Sequence, residues 1–186
     1  MKANQFLGPI AFLAIVASVS PVFAGDPPGR EFSAEGVGDF RSGANRINVV
    51  FIADRFTSME EAQQLAGLLE KGGQGTLLSA LRGRSDGRIR FGALEKWVAL
   101  VVAEPEGRGY RYLFLTPRRI EIHEKEFGED SLNYPFGVAE FVVDRFGRGE
   151  GNLHVAAALR IDADGHIEIE DYDGADATIE KVRQVR

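Results

Sequence analysis

The fold is decided by the stretch LHVAAALRIDADGHIEI, residues 153–169. Apolar residues recur at every second position of its first half, which predicts a β-strand with one shared face: Leu153, Val155, Ala157, Leu159 and Ile161. Asp164-Gly165 is a turn pair typical of hairpins, and the alternation resumes at Ile167. We therefore expect antiparallel neighbours on both sides of this strand, with His154 on the face opposite the core.

Apolar segments of strand length continue in both directions from this stretch. Two hairpins are predicted: 97–103 pairs with 110–115, and 136–143 pairs with the strand at 153–161. The second hairpin is expected to close through a loop at 146–151. Downstream, a last strand is expected near 178–182. The pattern indicates a meander of antiparallel strands.

A helical pattern follows an early strand. The nearly unbroken apolar run 47–53 is typical of a central strand covered on both faces. Thr57 with Glu60 and Ser58 with Glu61 both have the spacing of a capping box, so either hydroxyl can cap a helix whose apolar residues recur at the helical period up to Leu69. Gly72-Gly73 predicts the end of this helix, and a second, shorter helix is predicted over 76–81. We therefore predict an α+β fold: a mostly antiparallel sheet, barrel-like or a sandwich, with a two-helix insert after an early central strand.

The N-terminus has the pattern of an export signal. Lys2 precedes an apolar run that is shorter than the roughly 18 residues of a membrane span, and Ala24 suits a cleavage site. The prediction is a signal peptide at 1–24, a flexible lead-in at 25–31 and a single globular domain at 32–186. The mature chain is expected in the periplasm or the extracellular medium, without a transmembrane segment.

Composition narrows the function classes. The chain has no cysteine, so apolar packing must stabilise it without disulfides or thiolate metal sites. Its formal net charge is -6, which argues against nucleic acid as a partner. The glycines at 147, 149 and 151 resemble a phosphate-binding loop but precede a predicted strand instead of a helix. No cofactor is therefore expected.

Aspartates near the C-terminus are weak calcium candidates. Asp171, Asp173 and Asp176 have the alternate spacing of oxygen ligands, but the distal glutamate of a calcium loop is missing. Two hairpin turns explain the same residues. His123 lacks a second histidine at helical spacing, so zinc is not expected either. We therefore predict no metal site.

One cationic stretch is a candidate anion patch. Its members are Arg82, Arg84, Arg88 and Arg90. Such a patch could bind a phosphorylated glycan or a lipid head group. The simpler interpretation is a solvated loop and strand edge.

Aromatic residues on the predicted strands are a candidate cavity lining if the sheet closes into a barrel. They are Trp97, Tyr110, Tyr112 and Phe114, with Phe141 across the second hairpin. A barrel of this size can hold one small ligand, but its interior is often filled by side chains. Packed core is the alternative interpretation.

No catalytic motif is visible. A serine nucleophile elbow and a serine-lysine pair are both missing, and only three histidines are present. The leading hypothesis is an exported, non-enzymatic protein that binds a partner or supports the cell envelope. A carrier of a small apolar ligand and an unrecognised hydrolase are the alternatives.

Three blocks carry a resemblance to known sequences. They are GGQGTLLSAL at 72–81, YPF at 134–136 leading to RGEG at 148–151, and IEIEDY at 167–172. In these blocks the chain resembles an uncharacterised family of short, signal-bearing exported bacterial proteins. The resemblance implies a shared fold and an extracytoplasmic location. That family has no assigned activity, so it implies no site residues.

Overall fold

The structure is a computed structural model that describes Pro27 and residues 29–38, 45–120, 132–162, 167–172 and 176–185. The predicted signal peptide lies outside the described residues, as does His123. Among the residues that are described, no helix is long and apolar enough to span a lipid bilayer.

Ten strands and one helix make up the described part of the chain. In chain order they are β1 Glu31–Val37, β2 Arg46–Ala53, α1 Met59–Leu81, β3 Gly87–Phe91, β4 Leu94–Val98, β5 Leu100–Glu106, β6 Gly109–Thr116, β7 Phe136–Val143, β8 Arg148–Ile161, β9 Ile167–Asp171 and β10 Asp176–Gln184. Every strand pair is antiparallel, which confirms the predicted sheet.

The strands form one sheet that curls into a nearly closed barrel. The order is β4-β3-β2-β1-β10-β8-β7-β6-β5, and β9 pairs with β8. The two ends of this path, β4 and β5, are joined by Ala99 alone. The Ala99 N–H donates to the Leu115 carbonyl of β6 at 2.9 Å, so the chain itself brings the two edges of the sheet together.

A cluster of aromatic rings fills the interior of the barrel, with Phe141 at its centre. The Phe141 ring centroid lies 4.9 Å from that of Phe51, 5.1 Å from Phe32, 5.5 Å from Tyr112 and 5.8 Å from Phe114. These five side chains come from β1, β2, β6 and β7, and all are almost fully buried. The interior is a packed core.

A second core lies between α1 and the outer face of the sheet. Leu65, Leu69 and Leu77 of the helix pack against Leu113 of β6 and Val138 of β7. Strands β5 to β8 are therefore apolar on both faces at this point. Strand β2 was also predicted to be covered on both faces. That prediction was wrong, because its outward residues 50 and 52 are only half-buried. Although the helix follows β2 in the chain, it covers β5 to β8, which lie on the other side of the barrel closure.

The insert is a single helical element instead of two separate helices, but it is kinked at the glycine pair where the first helix was predicted to end. Its start uses the second of the two predicted caps: the Glu61 N–H donates to Ser58 Oγ at 3.2 Å and the Ser58 N–H donates to Glu61 Oε2 at 3.0 Å. Gly73 takes φ 67° and ψ -173°, angles outside the helical region, so α1 breaks into two segments at this position. Glycine adopts such a φ at no steric cost, and the second segment ends at Leu81.

Strand β8 departs from the predicted alternation. Val138 lies opposite His154, whereas Phe136 lies opposite Ala157, so β8 holds one additional residue against β7. This bulge reverses the facing of the strand: Leu153 and Val155 point into the barrel, and Ala157 packs against the helix. The single shared face predicted for residues 153–161 was wrong for this reason.

The predicted loop at 146–151 also belongs largely to β8, which begins at Arg148. Gly149 has a structural role in this strand, because a Cβ at this position would overlap the carbonyl oxygen of Val142 in β7. Glycine permits the close approach of two strands in the curved sheet.

We predict that Gly149→Ala lowers the free energy of unfolding by about 2 kcal/mol, since the backbone of β7 must shift to admit the methyl group. Gly67→Ala is the matched control. A Cβ at Gly67 meets no atom within 4 Å, and alanine favours a helix over glycine by about 1 kcal/mol. In urea denaturation the midpoint of Gly149→Ala should therefore fall, and that of Gly67→Ala should rise. Equal stabilisation by both substitutions would contradict the close approach.

Candidate functional site

A buried histidine lies between two carboxylates on the outer face of the sheet. His154 Nδ1 is 2.7 Å from Asp171 Oδ1 at the end of β9, and Nε2 is 3.7 Å from Glu140 Oε1 in the middle of β7. The prediction placed His154 opposite the core, and it does point away from the barrel interior. Its side chain is nevertheless only 11% exposed. The bulge of β8 and its pairing with β9 bring the three groups together.

The two carboxylates keep the imidazole charged. Burial opposes the charged form of His154, but the hydrogen bond to Asp171 and the interaction with Glu140 outweigh it and raise the pKa to about 9. Burial likewise raises the pKa of Glu140, and the opposing effect of His154 and Arg111 leaves it below its usual value. The cluster therefore holds one cation between two anions at neutral pH.

This arrangement does not suit a hydrolase. A catalytic dyad needs a neutral imidazole that accepts a proton from a nucleophile. Here Nε2 faces a carboxylate, and the imidazole stays protonated at neutral pH. Nε2 is buried and has no hydrogen-bond partner among the described residues. Its charge partner is Glu140, whose Oε1 lies 3.7 Å away.

A groove of about 370 Å³ runs over the outer face of β6, β7, β8 and β10, with Glu140 among the residues that line it. We call it the outer groove. Its lining consists of Arg111, Glu140, Phe141, Val142, Glu150, Gly151, Asn152, Thr178, Ile179 and Glu180. Phe141 and Ile179 belong to the barrel core, so the outward side chains of the groove are mostly polar. Carboxylates outnumber cations on its walls.

The single arginine of the outer groove already has an acidic partner. Arg111 Nε donates to Glu106 Oε2, and this hydrogen bond raises the pKa of Arg111. Glu180 is paired with Arg46 at 3.0 Å on the opposite wall. Glu150 is exposed. The groove therefore presents acceptor oxygens more than donors.

A second charged cluster has a structural role. Asp86 is 2% exposed and accepts hydrogen bonds from Arg55 at 2.9 and 3.0 Å, from Arg84 at 3.0 Å and from Thr57 at 2.8 Å. Arg55 also pairs with Glu61 and, with the Ser58 N–H, lowers the pKa of Glu61 to about 2. These contacts join the start of α1 to β3. Both carboxylate oxygens of Asp86 are hydrogen-bonded within the protein, which fits a structural role.

The candidate anion patch is largely neutralised. Arg84 contacts Asp86, Arg88 Nη2 lies 3.1 Å from Asp54, and Arg90 Nε lies 3.9 Å from Glu95. Arg82 is exposed and forms no ion pair with a carboxylate of the described residues. The structure therefore does not bring the four arginines together as one unpaired surface.

The calcium candidates are placed only in part. Asp171 binds His154, Asp173 lies outside the described residues, and so does the side chain of Asp176. The described residues contain no acidic or histidine cluster arranged to hold a metal ion.

The candidate cavity lining is divided between core and surface. Tyr112 and Phe114 are buried in the aromatic cluster, Tyr110 packs at its margin, and Trp97 is 60% exposed on β4. Trp97 is therefore wrong as an interior residue, because its position in β4 alternates with the inward Val98. An apolar cavity does exist between α1 and the sheet, but its volume is about 40 Å³. That space holds little more than a water molecule.

Sequence reasoning missed Glu140, Arg111 and Asn152. The signal for Glu140 was present, since it is the one charged residue in the otherwise apolar segment FGVAEFVV. A carboxylate in a strand covered on both faces needs a partner, and that requirement points to a buried cation. Arg111 alternates with core aromatics and carried no comparable signal.

Comparison with known proteins gives no match to a protein-family model, to a curated protein or to a solved structure. The protein is therefore classed by its fold alone, as a nearly closed antiparallel barrel with one helix packed on its outer face.

Proposed function

We propose that this chain is an exported, non-enzymatic binding protein of the cell envelope, and that the outer groove binds a small polar ligand that carries an amine. The export pattern at 1–24 and the resemblance to exported bacterial proteins support the compartment. The observation that carries the binding role is the outer groove itself, whose walls include the carboxylates of Glu140, Glu150 and Glu180 against the single cation of Arg111.

The charges of the groove favour an amine. Glu140, Glu150 and Glu180 supply acceptor oxygens, and Thr178 and Asn152 add polar groups that fix orientation. Arg111 is held by Glu106, so it does not neutralise the groove. An ammonium group between these walls gains charge-assisted hydrogen bonds, which are stronger than neutral ones.

The size of the groove also fits a small ligand. A volume of about 370 Å³ lies within the usual range of ligand sites, roughly 300–1,000 Å³. A carrier of an apolar ligand would need comparable space inside the barrel or beneath the helix. The barrel interior is filled by aromatic rings, and the apolar cavity beneath the helix is about 40 Å³. The outer groove is the better supported site.

Binding can be tested by titrating isotope-labelled protein with spermidine, a small polyamine, and following backbone amide shifts by NMR. We expect the shifts to concentrate at Gly151, Asn152 and Thr178. Glu150→Gln should weaken binding about 5-fold, as expected for one exposed charge pair worth about 1 kcal/mol. Glu168→Gln removes an exposed charge from β9, away from the groove, and should change nothing.

Two results would count against the groove. Shifts spread evenly over the acidic surface would indicate non-specific attraction to a negatively charged protein. An equal loss in Glu150→Gln and Glu168→Gln would have the same meaning.

A further inference from the structure

One end of the barrel presents an aromatic side chain on a rigid turn. Residues 144–147 connect β7 to β8, and Asp144 Oδ1 accepts the N–H groups of Phe146 at 2.8 Å and Arg148 at 2.9 Å. The Gly147 carbonyl accepts the Gln184 N–H at 2.8 Å, which ties the turn to the end of β10. Phe146 is held on this turn and is 69% exposed. Val185, one residue beyond the tie, is 53% exposed.

Four arginines lie around this turn. Arg145 places its guanidinium carbon 4.6 Å from the Phe146 ring centroid. Arg148 lies directly opposite Arg183 across the β8 and β10 pair. Arg108, in the turn between β5 and β6, lines the same surface depression as Arg148. We call Arg108, Arg145, Phe146, Arg148 and Arg183 the basic tip.

The charges of the basic tip are not balanced by ion pairs. None of its four arginines lies within 4.0 Å of a carboxylate in the described part of the chain. Glu106, Asp144 and Glu150 share the depression; Glu106 binds Arg111, and Asp144 accepts backbone N–H groups, which together with the nearby charges of Arg148 and Arg145 lower its pKa. Like charges directly opposite in a sheet are destabilising, so Arg148 and Arg183 lower the stability of the free protein.

The combination points to a partner that is both anionic and apolar. Guanidinium groups bind phosphates, and an exposed aromatic ring gains free energy by entering the boundary between head groups and acyl chains. A membrane surface with anionic lipids offers both within a few ångströms. The protein has a net charge of -6, so such a surface repels most of it and attracts this end.

We propose that the basic tip docks the protein on an anionic lipid surface, with Phe146 inserted at the interface and the four arginines on lipid phosphates. The docking surface adjoins the outer groove, since Glu150 lines both depressions, but it needs neither Glu140 nor His154. It orients the barrel with the β7–β8 turn towards the lipid.

The test uses the protein as purified from its own host. It is co-sedimented with vesicles of phosphatidylglycerol and phosphatidylcholine. We expect binding to these vesicles, little binding to pure phosphatidylcholine, and release at high salt. The triple variant Arg145→Gln, Arg148→Gln, Arg183→Gln should bind about 100-fold more weakly, from about 1 kcal/mol for each arginine near the surface. Phe146→Ser should bind about 10-fold more weakly yet remain salt-sensitive.

Matched controls change the same residue types elsewhere. Arg82→Gln, Arg90→Gln, Arg160→Gln removes three exposed arginines away from the tip, and Trp97→Ser removes an exposed aromatic side chain from β4. Both controls should bind as wild type, and no variant should melt at a lower temperature than wild type because the altered residues are exposed. Equal losses in controls and tip variants would overturn the proposal. The proposal would also fail if Phe146→Ser bound the vesicles as wild type and dextran sulfate displaced the protein completely. That result would indicate an anionic polysaccharide as the partner.

Discussion

Phe141→Ala is expected to lower the free energy of unfolding by about 4 kcal/mol, the usual cost of removing a buried aromatic ring. The ring contacts four other aromatic side chains from β1, β2 and β6, which cannot all collapse into the space that it leaves. Guanidinium chloride denaturation followed by circular dichroism measures the difference.

Phe146→Ala is the matched control for this substitution. Phe146 is 69% exposed, so the same truncation should change stability by less than about 0.5 kcal/mol. Similar losses at both positions would contradict the packed interior. If folded Phe141→Ala bound a hydrophobic dye without a loss of stability, the barrel interior would be loosely packed.

Stability is expected to fall as the pH rises from about 6.5 to about 9, because His154 then loses its proton in the folded state. The folded pKa is about 9 against a reference of 6.5, so folding stabilises the charged form. This contribution is fully present below the unfolded pKa and is lost as the pH passes the folded pKa. Its size is about 3 kcal/mol, from roughly 1.4 kcal/mol for each pKa unit.

His154→Gln isolates this contribution. Glutamine has no titrating proton, so the stability of the variant should stay nearly level over the same pH range, apart from groups that titrate in both proteins. Urea denaturation at intervals between pH 6 and pH 9.5 gives both curves. Parallel curves for wild type and variant would show that His154 is neutral in the folded protein.

The helix shows how local prediction succeeded and where it stopped. Local spacing placed its start within one residue, at Thr57 or Ser58, because a capping box acts within four residues of the chain, and the structure uses Ser58 with Glu61. Gly73 was expected to end it, and the helix does break there, but a second segment follows at once and packs Leu77 and Leu81 against the sheet. The local pattern indicated this segment, but the surface that it covers depends on strands far along the chain.

The candidate site shows the same division. Glu140 stood out as a charge in an apolar strand, and His154 alternated with core residues, but their meeting required the additional residue in β8 and the pairing with β9. The basic tip likewise joins Arg108, Arg148 and Arg183, which are brought together by strand pairing. Neither cluster has a sequence motif.

The sequence by itself determined the antiparallel strands, the start of the helix and the reliance on apolar packing, because hydrophobic period, capping and composition act locally. Only the tertiary structure decided the closure of the barrel at Ala99, the facing reversal in β8, the covering of β5 to β8 by the helix and the partners of His154. These features depend on register between distant segments, and a shift of one residue moves every side chain to the opposite face.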